Sequence, residues 1–286
     1  MPTGLRAGDA ARTAIRELRD AGVPEPEASA EVLLSELLGV RRGEIPLHQQ
    51  PLTEEQARLY ERWIGRRANR EPVQRILGYA YFRNLVLRLN EATLIPRPDT
   101  ESVVDAALER LDVRGGAGVV LDVGTGSGAI AISIAQERPR ATVHATDVSE
   151  EALEAAERNA RENGASIRFH HANLFAGLES LEGGVDLLVS NPPYIEDGTL
   201  ERLAPEVRDW DPLPALDGGP DGLRFYRRIF AEAPPLLKDG AGVVLEVGDG
   251  QGQDVLGLGE RAGFASVGLR EDLAGTSRAA LLRWEG

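Results

Sequence analysis

The residues of this chain best suited to chemistry are Asn191, Pro192, Pro193 and Tyr194, which follow the apolar run 185–190. That run predicts a buried strand, and an asparagine with two prolines predicts a stiff loop at its end. Because proline has no N–H, main-chain carbonyls in such a loop tend to remain free as acceptors. The Asn191 oxygen adds an acceptor and the Tyr194 ring a flat face, so the loop suits a planar –NH2 group. The pattern predicts methylation of an amide or exocyclic amine, the alternative being a rigid strand–helix connection.

A glycine-rich segment upstream predicts a site for an adenosine-bearing cofactor. It joins a predicted strand to a helix over 129–136 and consists of Gly124, Thr125, Gly126, Ser127 and Gly128. Glycines let the main chain turn sharply and approach a ligand closely. The next predicted strand ends at Asp147, 19 residues after Gly128. A carboxylate at that position can accept hydrogen bonds from both hydroxyls of a ribose.

The spacing of the glycines favours S-adenosylmethionine over a nicotinamide dinucleotide. Dinucleotide sites usually show Gly-x-Gly-x-x-Gly, which seats a pyrophosphate. Here the glycines stand two apart and Asp122 precedes them, which suits a cofactor with a cationic amino-acid tail and no phosphate. The alternative is that these glycines only make a tight turn between strand and helix.

The end of the third predicted strand offers residues for the adenine. Asn173 could hydrogen-bond the adenine edge and Leu174 could pack on its face, although plain core filling would equally explain Leu174. His170 and His171 have no third ligand at a suitable spacing. We therefore interpret them as a strand end at the surface and expect no metal site.

Composition limits the possible partners and compartments. The formal net charge is −14, which argues against a broad nucleic-acid footprint and against direct nucleic-acid binding. There are no cysteines, hence no disulfide framework and no thiolate metal site. The first twenty residues lack the apolar core of a signal peptide, and no 18-residue apolar run predicts a membrane span. The expected compartment is the cytoplasm, without membrane association.

Periodicity divides the chain into three parts: a helical domain over 1–77, a hairpin with a Pro-Arg-Pro linker over 78–100, and an α/β domain over 101–286. In the last part strands alternate with helices, which predicts a mostly parallel sheet covered on both faces. The predicted strands are 119–123, 142–146, 167–170, 186–190 and 242–247, with late antiparallel strands near 265–269 and 279–283.

Together these residues resemble the protein-(glutamine-N5) methyltransferases that modify class I peptide chain release factors. The resemblance covers nearly the whole chain, and the Pro-Arg-Pro element distinguishes this family from other Asn-Pro-Pro-Tyr methyltransferases. It is carried by residues 94–101, 122–128, Asp147, 191–194, 215–219, 222–223, 272–275 and Arg278.

The resemblance implies a Rossmann-like class I S-adenosylmethionine-dependent methyltransferase domain preceded by a small all-helical domain that recognises the substrate. The implied reaction in translation termination transfers a methyl group to the side-chain N5 of the Gln in the Gly-Gly-Gln loop of class I release factors. Its by-product is S-adenosylhomocysteine. We expect Asn191, Pro192 and Tyr194 to be catalytic, with Pro193 and Phe82 also binding the substrate amide. Asn191 is expected to contact the cofactor as well.

Two departures from the family pattern bear on the site. The family commonly has Asp at the position of Asn173 and an aromatic residue at that of Leu174. Its Phe-Glu-Pro stands here as Trp210-Asp211-Pro212, with the carboxylate on a shorter side chain.

Two other functions compete with this interpretation. N6-adenine and N2-guanine nucleic-acid methyltransferases use a similar loop on a flipped base, but the acidic charge and the absence of a basic insert argue against them. A non-catalytic adaptor would not require the intact motifs.

A further expectation concerns docking. Arg62, Arg66 and Arg70 recur every four residues beside Arg67, which predicts a basic helix face that meets an acidic surface of the release factor. The alternative is a solvated face paired with neighbouring glutamates.

Overall fold

The computed structural model describes residues 4–272 and 275–286, which form two compact units. One unit comprises Met1–Gly78 together with Ala204–Trp210, and the other comprises Tyr79–Leu203 together with Asp211–Gly286. Leu273 and Ala274, which belong to the segment 272–275 named above, lie outside the described residues.

The first unit is helical, as predicted. Its helices, numbered in chain order, are α1 (Ala7–Asp20), α2 (Pro26–Leu38), α3 (Glu54–Ala68), α4 (Val73–Leu77) and α9 (Pro205–Arg208), with a 3-10 turn at Arg42–Leu47. Helix α3 begins at a capping box, in which Thr53 Oγ1 accepts from the N–H of Gln56 and Gln56 Oε1 accepts from the N–H of Thr53. The core between these helices includes Leu18, Leu33 and Tyr60.

The second unit opens with an antiparallel hairpin, β1 (Tyr79–Phe82) and β2 (Leu85–Arg88). In the described part of this unit, a seven-stranded sheet follows with the order β5-β4-β3-β6-β7-β9-β8. Strands β3 to β7 pair in parallel, and β9 and β8 are antiparallel. The strands are β3 (Ala117–Val123), β4 (Arg140–Asp147), β5 (Ile167–His171), β6 (Val185–Ser190), β7 (Leu237–Glu246), β8 (Phe264–Glu271) and β9 (Ser277–Trp284).

Helices cover this sheet on both faces, which confirms the predicted α/β architecture. They are α5 (Glu101–Asp112), α6 (Ala129–Glu137), α7 (Glu150–Glu162), α10 (Arg224–Glu232) and α11 (Gly252–Arg261). The short helix α8 (Asp197–Leu200) has no buried residue. One core cluster joins α5 and α6 to the sheet, and a second joins α10 and α11 to it. Within the described ranges, none of the helices combines the length and apolar character that a membrane crossing needs.

The topology brings the predicted site residues to one edge of the sheet. Strand β3 lies between β4 and β6. The chain runs from β3 through β4 to β5 on one side and then returns to β6 on the other, so the strand order reverses at β3, where a crevice opens at the carboxyl ends. In the register of the strands, Val123 pairs with both Thr146 and Ser190. Gly124, Asp147 and Asn191, one position further along their strands, therefore emerge at the same edge.

Candidate active site

A cavity of about 370 Å³ lies at this carboxyl edge. Its volume is typical of a small-molecule site. The lining comes from the loops that follow β3, β4, β5 and β6, and from the Pro-Arg-Pro segment. Of the predicted cofactor residues, all but Gly128 line the cavity: Gly124, Thr125, Gly126, Ser127, Asp147, Asn173, Leu174 and Asn191.

The glycine loop has the backbone that its sequence predicts. Gly124, Gly126 and Gly128 have φ values of 73°, 56° and 85°, in the left-handed region that favours glycine. The N–H groups of Gly124 and Thr125 both donate to the Thr146 carbonyl at 2.9 Å, which ties the loop to β4. At Gly128 a Cβ would also lie 2.9 Å from Ile132 Cδ1 of α6 and 3.3 Å from Ala156 Cβ of α7, so glycine leaves the space that these side chains occupy.

Asp147 combines two tasks at the end of β4. Its Oδ2 accepts from the N–H of Gly126 at 2.9 Å, and its Oδ1 accepts from the N–H of Ser149 at 3.0 Å. The side chain lines the cavity and keeps free lone pairs, since a carboxylate has about four acceptor sites. It can therefore hold the loop and still accept from ligand hydroxyls.

Directly behind the loop, Asp122 is a fully buried carboxyl group. Burial raises the pKa of Asp122 to about 7, although the Thr125 hydroxyl donates to its Oδ2 at 2.7 Å. Within the described part of the chain, its Oδ1 has no hydrogen-bond partner. A buried acceptor behind a glycine loop fits a ligand that carries a positive charge, because a nearby cation favours the ionised carboxylate.

The two residues predicted to hold the adenine, Asn173 and Leu174, have other contacts as well. Asn173 lies at the cavity, but its Oδ1 already accepts from Arg228 Nη1 at 3.0 Å. Leu174 adopts a left-handed φ of 57°, unusual for a branched side chain, and both lines the cavity and packs against the second core cluster. Leu174 thus serves the core and the cavity at once.

The loop over 191–194 is fixed by hydrogen bonds to residues that sequence reasoning did not single out. Asn191 Nδ2 donates to Thr100 Oγ1 at 3.3 Å, and Thr100 donates to Glu246 Oε2 at 2.6 Å. The Tyr194 hydroxyl donates to Glu246 Oε1 at 3.2 Å. Burial raises the pKa of Glu246 to about 7 despite these two donors. Thr100 belongs to residues 94–101, which carry part of the family resemblance. No sequence pattern pointed to Glu246.

Two predicted substrate contacts are not brought to the cavity. Phe82 is 2% exposed and belongs to the core cluster beneath α5, so it does not line the cavity, and its predicted contact with the substrate has no support from this placement. Pro192 and Pro193 do line the cavity, but Tyr194 is not part of the lining. The Tyr194 ring packs against the second core cluster, and burial raises the pKa of its hydroxyl. This placement does not support stacking of Tyr194 on a substrate amide.

The glycine-rich segments of the resemblance, 215–219 and 222–223, pack closely against Tyr194. A Cβ on Gly218 would lie 2.7 Å from Tyr194 Cα, and one on Gly222 would lie 2.3 Å from the Tyr194 carbonyl oxygen. Hydrogen bonds join the two segments, since Ile195 donates to the Leu216 carbonyl at 3.0 Å. Only glycine at positions 218 and 222 permits this approach.

Asp211, which replaces a glutamate of the family pattern, forms a salt bridge with Arg97. The Asp211 side chain is fully buried, whereas the Arg97 side chain is about one-third exposed and lines the cavity. The shorter carboxylate therefore still reaches the Pro-Arg-Pro segment. A second pair, Arg278 with Asp99 at 2.9 Å, holds the same segment.

The predicted basic docking face is only partly available. Arg67 is 5% exposed and donates to Glu206 Oε1 at 3.0 Å, and Arg70 donates to both oxygens of Glu206 at 2.7 Å. Arg66 forms a two-pronged pair with Glu71. These arginines hold carboxylates of their own unit, but Arg62 and Arg66 remain exposed. Docking of a release factor on this face stays a prediction.

The histidines follow the interpretation given to them only in part. His170 Nε2 lies 2.9 Å from His144 Nδ1 and is half-buried, while His171 is exposed. Across residues 4–272 and 275–286, no group of three or more His, Asp or Glu side chains is arranged to hold a metal ion.

Comparison with known proteins assigns the class. Residues 9–78 match the family model of the PrmC N-terminal domain, and residues 101–205 match that of the methyltransferase small domain. A methyltransferase from Pyrococcus furiosus shares the fold, with a TM-score of 0.51 and 23% identity over 71% of this chain and 90% of that one. The fold and the site define a Rossmann-like S-adenosylmethionine-dependent methyltransferase.

Two relatives narrow the assignment. The release factor glutamine methyltransferase of Streptomyces coelicolor is 43% identical over 274 residues, 94% of this chain and 95% of the relative. That of Geobacter sulfurreducens is 41% identical over 262 residues, 91% of this chain and 90% of the relative. The chain belongs to the release factor glutamine methyltransferase family. It is a protein-(glutamine-N5) methyltransferase.

Proposed function

We propose that this enzyme methylates the side-chain N5 of the Gln in the Gly-Gly-Gln loop of class I peptide chain release factors. The relatives that match over more than nine-tenths of the chain are named as methyltransferases that act on a glutamine of a release factor. The observation that carries the proposal is the Asn191 amide, whose Nδ2 is engaged by Thr100 while Oδ1 has no donor in the described part of the chain. A free, fixed acceptor at a cavity wall suits an amide N–H.

The residues around the cavity fit S-adenosylmethionine, which when bound supplies a methyl group on a positively charged sulfonium. We assign Asp147 to the ribose hydroxyls and the 124–128 loop to the close approach of the main chain. Asn173 and Leu174 form the adenine corner, where Asn173 can still donate from Nδ2. Asp122, buried behind the loop, would provide negative charge for the cofactor's ammonium group, because a nearby cation favours the ionised carboxylate.

A pair of acceptors would hold the substrate amide. Asn191 Oδ1 accepts one N–H and the Pro192 carbonyl accepts the other, since no donor among the described residues reaches either atom. Pro193 adds a rigid wall of the cavity. With two N–H bonds fixed, the nitrogen has one orientation, and its remaining face is directed at the cofactor site.

The same acceptors also explain catalysis. An amide nitrogen is a poor nucleophile because its lone pair is delocalised into the carbonyl group. As the nitrogen bonds to carbon it becomes positive and its N–H groups become stronger donors, so both hydrogen bonds strengthen in the transition state. Interactions that strengthen there raise kcat. Methyl transfer first gives an N-methylated amide cation that still carries both N–H protons. This cation is strongly acidic and loses one proton to solvent without a dedicated base, which gives the neutral N-methyl amide.

We assign substrate recognition outside the cavity to the N-terminal helical unit. Within its basic face, Arg62 is the arginine that we assign to contact with the release factor. Arg66, Arg67 and Arg70 already donate to Glu71 and Glu206. Intact release factor should then have a lower KM than a short Gly-Gly-Gln peptide. Equal KM values for the two substrates would contradict this assignment.

The test of the function compares methyl incorporation into a class I release factor, RNA and DNA, with mass spectrometry to locate the methyl group. We expect transfer to the release factor only, on the Gln side chain. Asn191→Ala should lower kcat by roughly 10²–10³-fold, as for loss of one oxyanion-hole donor, with little change in cofactor affinity. Transfer to nucleic acid, or a variant that keeps more than about a tenth of kcat, would contradict the proposal.

A further inference from the structure

Both polar side chains of the 191–194 loop lead to one buried carboxyl group, that of Glu246. On one side Asn191 donates to Thr100, and Thr100 donates to Glu246 Oε2 at 2.6 Å. On the other side the Tyr194 hydroxyl donates to Oε1 at 3.2 Å. Thr100 and Glu246 are only 4% and 2% exposed, so bulk water does not compete for these bonds. The loop is thus connected by hydrogen bonds to the end of β7 and to the Pro-Arg-Pro segment.

The carboxylate fixes the direction of each hydrogen bond in this chain. An ionised carboxylate can only accept, so the Thr100 hydroxyl must donate its single proton to Glu246. The Thr100 oxygen then offers only lone pairs to Asn191 and accepts from Nδ2. The Oδ1 end of the amide is consequently left for the cavity. Without this chain the amide could rotate by half a turn and present N–H groups to the N–H groups of a substrate amide.

We propose that Thr100 and Glu246 are positioning residues that select the orientation of the Asn191 amide in which Oδ1 accepts from the substrate nitrogen. The inference rests on the proposed function, because it needs a substrate that donates N–H bonds. Tyr194 acts through the same carboxyl group. It holds the second oxygen of Glu246 and need not touch the substrate, which gives the tyrosine of the loop a role that its buried ring allows.

The kinetic test compares two substitutions at one position. Thr100→Val removes the hydroxyl and keeps a branched side chain, while Thr100→Ser keeps the hydroxyl. At about pH 8.5, above the pKa of about 7 of Glu246, the carboxyl is ionised. We expect Thr100→Val to lower kcat by roughly 10²-fold, as misplacement of a catalytic group does, with KM and cofactor affinity within about twofold. Thr100→Ser should retain most of kcat.

Two further variants exclude a purely structural explanation. Ser133 is a buried hydroxyl in α6 that donates to the Ala129 carbonyl and does not line the cavity, so Ser133→Ala should leave kcat unchanged. Glu246→Gln keeps the shape of the side chain but can donate to Thr100, which lets Thr100 donate to Asn191 Oδ1 and reverses the amide. It should therefore lower kcat as Thr100→Val does.

A readout independent of the substrate separates this inference from the proposed function. The chain has seven asparagines, so the side-chain amide of Asn191 can be followed by NMR after selective ¹⁵N labelling and assigned with Asn191→Ala. Thr100→Val should change its chemical shifts and speed its hydrogen exchange, and Thr100→Ser should restore both. Failure of wild-type enzyme to methylate release factor would refute the function, yet leave this readout standing.

The proposal is overturned if Thr100→Val keeps kcat within about threefold of wild type, or if the Asn191 amide signals are the same in both. It is equally overturned if Thr100→Ser loses as much activity as Thr100→Val. In that case the packing at position 100, and not its hydroxyl, would support the loop.

Discussion

Asp147 Oδ2 accepts a 2.9 Å hydrogen bond from the main-chain N–H of Gly126. The acid at the end of β4 thus fixes the glycine loop at the end of β3, in addition to the role in ribose binding that we propose. One substitution should therefore affect cofactor affinity twice, by removing acceptors and by releasing the loop.

Asp147→Ala should weaken cofactor binding by about 1.5–3 kcal/mol for each lost hydrogen bond to the carboxylate, or about 10- to 100-fold in Kd. Isothermal titration calorimetry with S-adenosylhomocysteine measures this directly. Asp254→Ala, at an exposed position of α11, is the matched control and should leave Kd unchanged. An unaltered Kd for Asp147→Ala would mean that the ribose binds elsewhere.

Gly218→Ala should lower kcat more than it lowers stability. The added Cβ would lie 2.7 Å from Tyr194 Cα, so the 191–194 loop must shift. A shift of that loop by about 1 Å would cost roughly 10²-fold in rate. Gly198→Ala is the control, because a Cβ at Gly198 meets nothing within 4 Å. Steady-state kinetics of both variants measure this effect. Equal kcat values would show that close packing of Gly218 against Tyr194 is not needed for catalysis.

Asp211→Asn should lower both kcat/KM and the melting temperature, because it leaves Arg97 beside a neutral side chain in a buried position. Breaking a buried ion pair costs about 3–5 kcal/mol, and the partial exposure of Arg97 places this case at the lower end. Asp211→Glu restores the family's usual residue and should keep most of the activity. Loss of activity in Asp211→Glu equal to that in Asp211→Asn would show that side-chain length, and not charge, matters here.

Glu206 should make the stability of the N-terminal unit depend on pH. Burial opposes ionisation, but hydrogen bonds from Arg70 and Arg67 lower the pKa of Glu206 to about 2. A lowered pKa stabilises the folded state fully above the unfolded value of about 4.5, and this contribution is lost as pH falls towards 2. Glu206→Gln should thus destabilise the protein near pH 7 by about 3 kcal/mol, and by progressively less below about pH 4.5.

Chemical denaturation of wild type and Glu206→Gln between about pH 7 and pH 3 tests this dependence. The exposed Glu196 provides the control substitution, Glu196→Gln, which should show no such convergence. A difference between wild type and Glu206→Gln that stays constant across this range would contradict the assignment of the lowered pKa.

The fold was predictable where the pattern is local. The strand predicted over 142–146 is part of β4, because the β-branched residues Thr142, Val143 and Thr146 favour an extended chain. The strand predicted over 242–247 lacks the first half of β7, because Lys238, Asp239 and Gly240 interrupt the apolar run there. The first half of β7 pairs with β6, and the register between the two strands shifts between Val185 and Leu187 of β6. No local sequence pattern reveals such a shift.

The site was likewise predictable where its residues lie at strand ends, and not where it depends on contacts between distant parts of the chain. Asp147 ends β4 and Asn191 directly follows β6, so their place at the carboxyl edge comes from topology. The bonds from Thr100 to Glu246 and from Arg97 to Asp211 join residues 146 and 114 positions apart, and a single sequence does not indicate such pairs. Alternation in the hairpin was visible, but it did not show that Phe82 belongs to the buried face.

The segment Ala204–Trp210 has a consequence for protein engineering. Because it belongs to the same unit as Met1–Gly78, that unit is not a continuous stretch of chain. A chimera that exchanged only residues 1–78 with a relative would take Arg67 and Arg70 from one parent and Glu206 from the other. Domain exchange within this family therefore requires co-transfer of residues 204–210, and a single crossover point cannot achieve it.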